Sequence, residues 1–77
     1  MDKKYKKVFI DALSLNGNQK VENIKYNEID EWDSIGHMTL VSEIESAFNV
    51  TFDTDDIVNF SSYKEGKKIL TKLGVKF

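Results

Sequence analysis

The sequence predicts an all-α fold with four helices, the third of them short, and one long loop. Apolar residues recur at helical spacing in several segments, and residues typical of helix caps or helix ends flank those segments. No stretch alternates apolar and polar residues convincingly as a strand does. With 77 residues, 40% of them hydrophobic, the chain has room for one modest core. We therefore expect residues 1–77 to form a single domain.

The first helix is predicted near the start of the chain. Its apolar stripe falls at spacings typical of an amphipathic helix and consists of Tyr5, Val8, Phe9, Ala12 and Leu13. Asp2 is a candidate cap, and the pair Asn16-Gly17 is a candidate end of the helix.

The long loop is predicted over residues 18–33, where apolar residues lack a sustained period. Loops of this length in compact domains are generally functional or disordered. Regularly placed apolar anchors favour an ordered loop, and they are Val21, Ile24, Tyr26, Ile29 and Trp32.

The second helix is predicted from about Ser34 and ends at a turn at Asn49. Its apolar stripe consists of Met38, Val41, Ile44 and Phe48, flanked by Leu40 and Ala47. Val50 and Phe52 are expected to continue inward after the turn.

Two further helices complete the prediction. Thr54 is a candidate N-cap for a short helix over residues 55–60, which carries Asp55 and Asp56 in its first turn. The last helix begins with the capping-box spacing of Ser62 and Glu65. Its stripe of Ile69, Leu70 and Leu73 ends at Gly74.

Charge is distributed unevenly along the chain. Residues 21–60 carry ten carboxylates and one lysine, whereas residues 1–20 and 61–77 each carry five lysines and few acids. The acidic middle repels phosphate backbones and attracts basic partner surfaces. The predicted second helix contains two Glu and no Lys, and the chain has no Arg, which argues against a helix-turn-helix DNA binder.

The composition also limits chemistry and location. The chain has no cysteine and therefore no disulfide, thiolate metal site or thiol nucleophile of its own. Asp53, Asp55 and Asp56 do not match a calcium loop, because the required glycine and final Glu are missing. The longest apolar run is three residues, and the N-terminus lacks the pattern of a secretory signal. We expect a cytoplasmic protein, with no membrane span.

A serine stands where the long loop meets the longest predicted helix. Asp33 and Ser34 are both favoured at helix starts, so capping alone is sufficient to explain the pair. However, a helix N-terminus also offers free amides and a positive dipole end, which favour a phosphate carried on the hydroxyl of Ser34.

The stretch from Trp32 to Phe52, which opens Trp-Asp-Ser-Ile-Gly-His, resembles the acyl carrier protein family. Members of that family carry Asp-Ser-Leu at the start of the second helix and Glu-x-x-Phe-Gly-Ile towards its end; here Ile35 replaces Leu and Asn49 replaces Gly. The resemblance covers essentially the whole chain, and it implies a four-helix bundle of acyl-carrier type. The Trp-Asp-Ser-x-x-His form is similar to that of carriers in specialised pathways.

The resemblance also implies a function. Ser34 would be the covalent attachment point of 4′-phosphopantetheine from coenzyme A, with Asp33 and Ile35 beside it. The modified phosphoprotein would hold an acyl group as a thioester in fatty acid, polyketide or other specialised biosynthesis, and would not itself be an enzyme. Its expected partners are a phosphopantetheinyl transferase (holo-synthase) and acyl-transferring or ligating enzymes with basic docking surfaces. It would act as a monomer and bind no nucleic acid.

The sequence leaves several alternatives open. The cargo could instead be an aminoacyl, peptidyl or hydroxyacyl unit, or the chain could be an unmodified acidic helical interaction module. His37, one turn after Ser34, is either idle or close to the phosphodiester. Trp32 is a core or rim anchor, and Met38 and Ile57 are either core residues or partner contacts.

Overall fold

Four α-helices form the framework of residues 2–15 and 21–77. The structure is a computed structural model that describes residues 2–15 and 21–77. Within those ranges it contains no strand, which confirms the all-α prediction. The helices are α1 (Asp2–Leu13), α2 (Ser34–Phe48), α3 (Thr54–Asn59) and α4 (Tyr63–Lys72), and a 3-10 turn at Val21–Asn23 precedes α2.

Helices α1 and α2 run antiparallel. At the start of α1, the ring of Tyr5 lies 6.5 Å from that of Phe48 at the end of α2. At the other end, the side chain of Leu13 lies beside Gly36 in the first turn of α2. Ser34 is therefore at the end of the molecule opposite the start of α1.

The core is built around aromatic rings. Phe9 packs edge-on against Trp32 and Tyr63, with ring centroids 5.0 and 5.2 Å apart. The buried Tyr5 hydroxyl donates a hydrogen bond of 2.6 Å to the carbonyl oxygen of Tyr63 and so ties α1 to α4. Burial raises the pKa of Tyr5 well above its ordinary value, because the phenolate would lose its hydration.

The predicted stripe of α1 is confirmed, whereas its predicted ends are not. Tyr5, Phe9 and Leu13 are buried, and Val8 and Ala12 pack against them. Asp2 is the first helical residue and pairs with Lys67 at 2.6 Å. The helix ends at Leu13, before the candidate stop Asn16-Gly17, which lies outside the described residues.

The described part of the long loop is ordered and pinned to the connection between α3 and α4. The amide of Tyr26 donates to the carbonyl oxygen of Ser61 at 2.8 Å, and the amide of Tyr63 donates to the carbonyl oxygen of Ile24 at 3.1 Å. Val21, Ile24 and Trp32 are buried as predicted, and Ile29 is partly buried. Tyr26 is 40% exposed, so the prediction that it anchors the loop in the core is wrong.

The stripe predicted for α2 is wrong at one position. Leu40, Val41 and Ile44 are buried, but Met38 is 54% exposed. His37 takes the inward position of the first turn, and Met38 lies about 100° further around the helix. The turn at Asn49 is confirmed, since this residue caps α2 in the left-handed conformation (φ 55°).

The N-cap predicted for the third helix is also wrong. Asp53 caps α3 by accepting from the amide of Asp56 at 2.8 Å, and the Asp56 carboxylate bonds back to the amide of Asp53. Thr54 is the first helical residue, because the carboxylate one position earlier completes a capping box. Ser62 caps α4 as predicted, and Gly74, with φ 100°, follows its end.

A buried carboxylate links α3 to α4. Asp56 accepts a hydrogen bond of 2.6 Å from Lys72, while only 3% of its own side chain is exposed. The hydrogen bond from Lys72 holds the pKa of Asp56 below its ordinary value, and the same bond raises the pKa of Lys72 above its ordinary value.

We expect this pair to make stability depend on pH at both extremes. Asp56 stabilises the fold above the ordinary carboxyl pKa, and its contribution is lost as the pH falls through the lowered value. The contribution of Lys72 is present below the ordinary amine pKa and is lost as the pH rises through the raised value. The free energies of unfolding of the wild-type chain and of Lys72→Met, measured with urea, should therefore differ at neutral pH and converge at about pH 2. A difference of constant size down to that pH would contradict this role.

None of the helices in the described part of the chain combines the length and apolar character needed to cross a membrane.

Candidate functional site

Ser34 begins α2 at the surface of the molecule. The preceding Asp33 is the N-cap, and its carboxylate accepts from the amide of Gly36 at 2.8 Å. Gly36 is required here, because a β-carbon at this position would overlap the carbonyl oxygen of Glu31. The loop therefore approaches the first turn of α2 closely and places the exposed Ser34 hydroxyl at the junction.

The Ser34 hydroxyl has one side-chain neighbour that the sequence pattern did not indicate. The Tyr26 hydroxyl lies 3.3 Å from Ser34 Oγ, and either oxygen can donate. Only the loop path brings together these two residues, which are eight positions apart. A phosphate on Ser34 Oγ would lie next to a phenolic donor as well as the start of a helix.

The His37 side chain links neighbouring segments through hydrogen bonds. The sequence had suggested instead a residue without a specific role or one that faces the phosphodiester. Trp32 Nε1 lies 2.9 Å from His37 Nδ1, and His37 Nε2 lies 2.8 Å from the carbonyl oxygen of Ile57. Indole nitrogen only donates, so Nδ1 accepts and Nε2 carries the hydrogen that is donated to Ile57. The imidazole thus joins the long loop, α2 and α3, and neither nitrogen is left for a phosphodiester.

We expect His37→Ala to lower the free energy of unfolding by about 1–2 kcal/mol, because it removes both hydrogen bonds and leaves the indole N–H of Trp32 unpaired. His37→Gln offers one acceptor and one donor and should recover part of the loss. Urea unfolding followed by circular dichroism measures both variants. If His37→Ala were as stable as the unmodified chain, the link would have no energetic role.

A shallow apolar groove of about 250 Å³ opens between the loop and α3. Tyr26 contributes to its wall, so the groove begins close to the Ser34 hydroxyl. Its other lining residues are His37, Ile57, Val58, Phe60 and Ser61. A cavity of about 150 Å³ already accommodates a benzene molecule, so this groove has room for a short apolar group.

Exposed apolar side chains occur near Ser34 and along the groove. Ile35 is 80% exposed and Met38 is 54% exposed in the first turns of α2, and Val58 of α3 is 73% exposed. Ile57 is partly buried against the core. Large apolar side chains in such positions are typical of protein contact surfaces.

The surroundings of Ser34 are acidic. The loop before it carries Glu28, Asp30, Glu31 and Asp33, all exposed. None of the ion pairs found among residues 2–15 and 21–77 involves them. In the same part of the chain, no cluster of three or more His, Asp or Glu side chains is arranged to hold a metal ion.

The three predicted site residues, Asp33, Ser34 and Ile35, lie where the long loop meets the start of α2. Ser34 and Ile35 are exposed, whereas the Asp33 carboxylate is engaged in the cap. Trp32, predicted as a core or rim anchor, is fully buried.

Searches with this chain against protein-family models, curated proteins and solved structures found no match.

Proposed function

We propose that the chain is a carrier protein of the acyl-carrier type, with 4′-phosphopantetheine attached to Ser34. The observation that carries this proposal is the position of the hydroxyl: Ser34 is exposed as the first residue of the longest helix, and it stands within the motif Trp-Asp-Ser-Ile-Gly-His. The chain has no cysteine, so the attached arm would supply its only thiol.

The attachment is a phosphoryl transfer from coenzyme A. Ser34 Oγ attacks the phosphorus nearest the pantetheine and forms a new P–O bond. The P–O bond to the other phosphate of the pyrophosphate breaks, and adenosine 3′,5′-bisphosphate leaves. The Ser34 proton passes to a base of the transferase. Exposure of the hydroxyl fits this step, because the transferase must bring its own magnesium and coenzyme A to it.

The surface around Ser34 fits a partner with a basic and partly apolar contact area. The acidic loop would attract basic side chains and raise the rate of encounter. Ile35 and Met38 would then be buried against the partner, and such central apolar contacts supply much of the affinity of an interface.

The groove beside Tyr26 favours an acyl cargo over a charged aminoacyl one. Its wall is largely apolar, formed by Ile57, Val58 and Phe60 among others. A charged ammonium placed there would be desolvated without a carboxylate among the lining residues to pair with.

Intact mass measurement tests the proposal. The purified chain is incubated with coenzyme A, magnesium and a broad-specificity phosphopantetheinyl transferase, and it should gain the mass of one phosphopantetheine. Ser34→Ala should gain none, while Ser42→Ala, which removes an exposed serine from the same helix, should load normally. If the wild-type chain kept its original mass after this incubation, an acidic interaction module would be the better account.

A further inference from the structure

The Tyr26 hydroxyl faces Ser34 but makes only a weak contact with it. The two hydroxyl oxygens are 3.3 Å apart, whereas a good hydrogen bond between hydroxyls is about 2.7–2.8 Å long. Among residues 2–15 and 21–77, the Tyr26 hydroxyl has no other hydrogen-bond partner. Tyr26 is also 40% exposed, so a group attached to Ser34 can reach it. A stronger acceptor on Ser34 Oγ would therefore take the hydrogen of the Tyr26 hydroxyl.

The position of Tyr26 is fixed through its backbone and through its ring. Its amide donates to the carbonyl oxygen of Ser61 at 2.8 Å, and the amide of Asn27 donates to the carbonyl oxygen of Trp32 at 3.0 Å. Asn27 has the left-handed conformation (φ 64°) that asparagine tolerates in turns. The Tyr26 ring meets the rings of His37 and Trp32 edge-on, with centroid distances of 5.1 and 6.1 Å. The hydroxyl is thus preorganised, and little conformational entropy is lost when it binds.

A phosphodiester on Ser34 would carry its negative charge in acidic surroundings. Residues 26–63 contain no lysine or arginine. The histidine in this segment, His37, has both ring nitrogens bonded to protein groups. The Asp33 carboxylate caps α2 next to Ser34 and would repel a phosphate, although the start of the helix attracts one. The Tyr26 hydroxyl is the one side-chain donor that the described residues place within hydrogen-bond distance of Ser34 Oγ.

We propose that Tyr26 binds the phosphate of the arm, its hydroxyl donating a hydrogen bond to a non-bridging oxygen of the phosphodiester on Ser34. This inference rests on the proposed function and adds a residue to the same site. A hydrogen bond from a hydroxyl to an anionic oxygen is charge-assisted, so it is short, about 2.5–2.7 Å, and stronger than a bond between neutral hydroxyls. Attachment of the arm would therefore strengthen the connection between the long loop and α2.

A thermodynamic cycle measures the proposed bond. The wild-type chain and Tyr26→Phe are each prepared with and without the arm, loading is verified by intact mass, and the equilibrium constant of unfolding is measured with urea. Tyr26→Phe removes only the hydroxyl, and the effect of the phosphate on the helix dipole is common to both chains and cancels. Loading should lower the unfolding constant about tenfold more in the wild-type chain than in Tyr26→Phe, the low end of what a hydrogen bond to a charged group contributes.

Tyr63→Phe is the matched control, because it also removes a phenolic hydroxyl. Tyr63 stacks on Tyr5 near the start of α1, with ring centroids 4.6 Å apart, away from Ser34. Loading should therefore stabilise Tyr63→Phe as much as it stabilises the wild-type chain. Phosphorus NMR adds a direct readout: the loaded wild-type chain and loaded Tyr63→Phe should share one phosphodiester chemical shift, and loaded Tyr26→Phe should differ from it. In concentrated urea the three shifts should coincide.

The outcomes separate this inference from the proposed function. If the wild-type chain is not loaded, the proposed function fails and this inference fails with it. If loading succeeds but stabilises the wild-type chain and Tyr26→Phe equally, or if Tyr63→Phe loses as much of the effect, Tyr26 does not bind the phosphate and the carrier assignment is unaffected. If Tyr26→Phe cannot be loaded, the wild-type chain decides: loading should shift the carbon-13 resonance of Tyr26 Cζ but not those of Tyr5 and Tyr63, and an unchanged Tyr26 resonance overturns the inference.

Discussion

Trp32→Ala is expected to lower the free energy of unfolding by about 3–5 kcal/mol, the largest effect of any single substitution considered. Trp32 is fully buried and packs edge-on against Phe9 and Phe60, with centroids 5.0 and 5.9 Å apart. Its indole N–H also donates to His37. A domain of this size has a total stability of roughly 4–12 kcal/mol, so the loss is a large part of the whole.

The measurement is urea unfolding followed by circular dichroism, because Trp32 is the only tryptophan and the variant has no indole fluorescence. Trp32→Phe keeps a ring in the core but loses the hydrogen bond to His37, so its stability should fall between those of the alanine variant and the unmodified chain. Equal stability of Trp32→Ala and the unmodified chain would contradict the central position of this ring.

Gly66→Ala is expected to lower the free energy of unfolding by about 3 kcal/mol, through overpacking of the core and loss of a hydrogen bond. Gly66 is buried in α4, and a β-carbon there would overlap the ring of Phe60 and the hydroxyl of Tyr5. Moving Tyr5 would break its bond to the carbonyl of Tyr63. Helix propensity favours alanine over glycine by about 1 kcal/mol, which is too little to offset these costs.

A double-mutant cycle tests the cause of this loss. Tyr5→Phe removes the hydroxyl that the new methyl group would meet, so the double variant with Gly66→Ala should lose less than the sum of the two single losses. Lys64→Ala, an exposed substitution in the same helix, should change stability by less than about 0.5 kcal/mol. Strictly additive losses would show that the hydroxyl is not the obstacle.

Helix positions and most of the core were predictable from the sequence, because apolar periodicity reports burial directly. The buried positions of the α1 stripe and the buried Val41 and Ile44 of α2 follow from spacing, whereas Leu40, expected only to flank the α2 stripe, is fully buried. Met38 was wrongly predicted to be buried, and the spacing of apolar residues could not have shown this error. Periodicity counts apolar residues only, whereas a histidine with both nitrogens bonded fills the inward position of the first turn.

The corner around Ser34 was predictable only in part. The motif identified Ser34 and its neighbours, but the loop path decides that the Tyr26 hydroxyl lies 3.3 Å from Ser34 Oγ. The path depends on long-range contacts, such as the amide of Tyr26 with Ser61 and the close approach of Glu31 to Gly36.

Localisation of the modification tests the central claim most directly. After loading with coenzyme A and a transferase, cleavage at Lys25 and Lys64 yields the peptide of residues 26–64, which holds Ser34 together with Ser42, Ser46, Ser61 and Ser62. Fragmentation of this peptide by tandem mass spectrometry should place one phosphopantetheine on Ser34. A peptide that remains unmodified, or that carries the group on another serine, would contradict the carrier assignment.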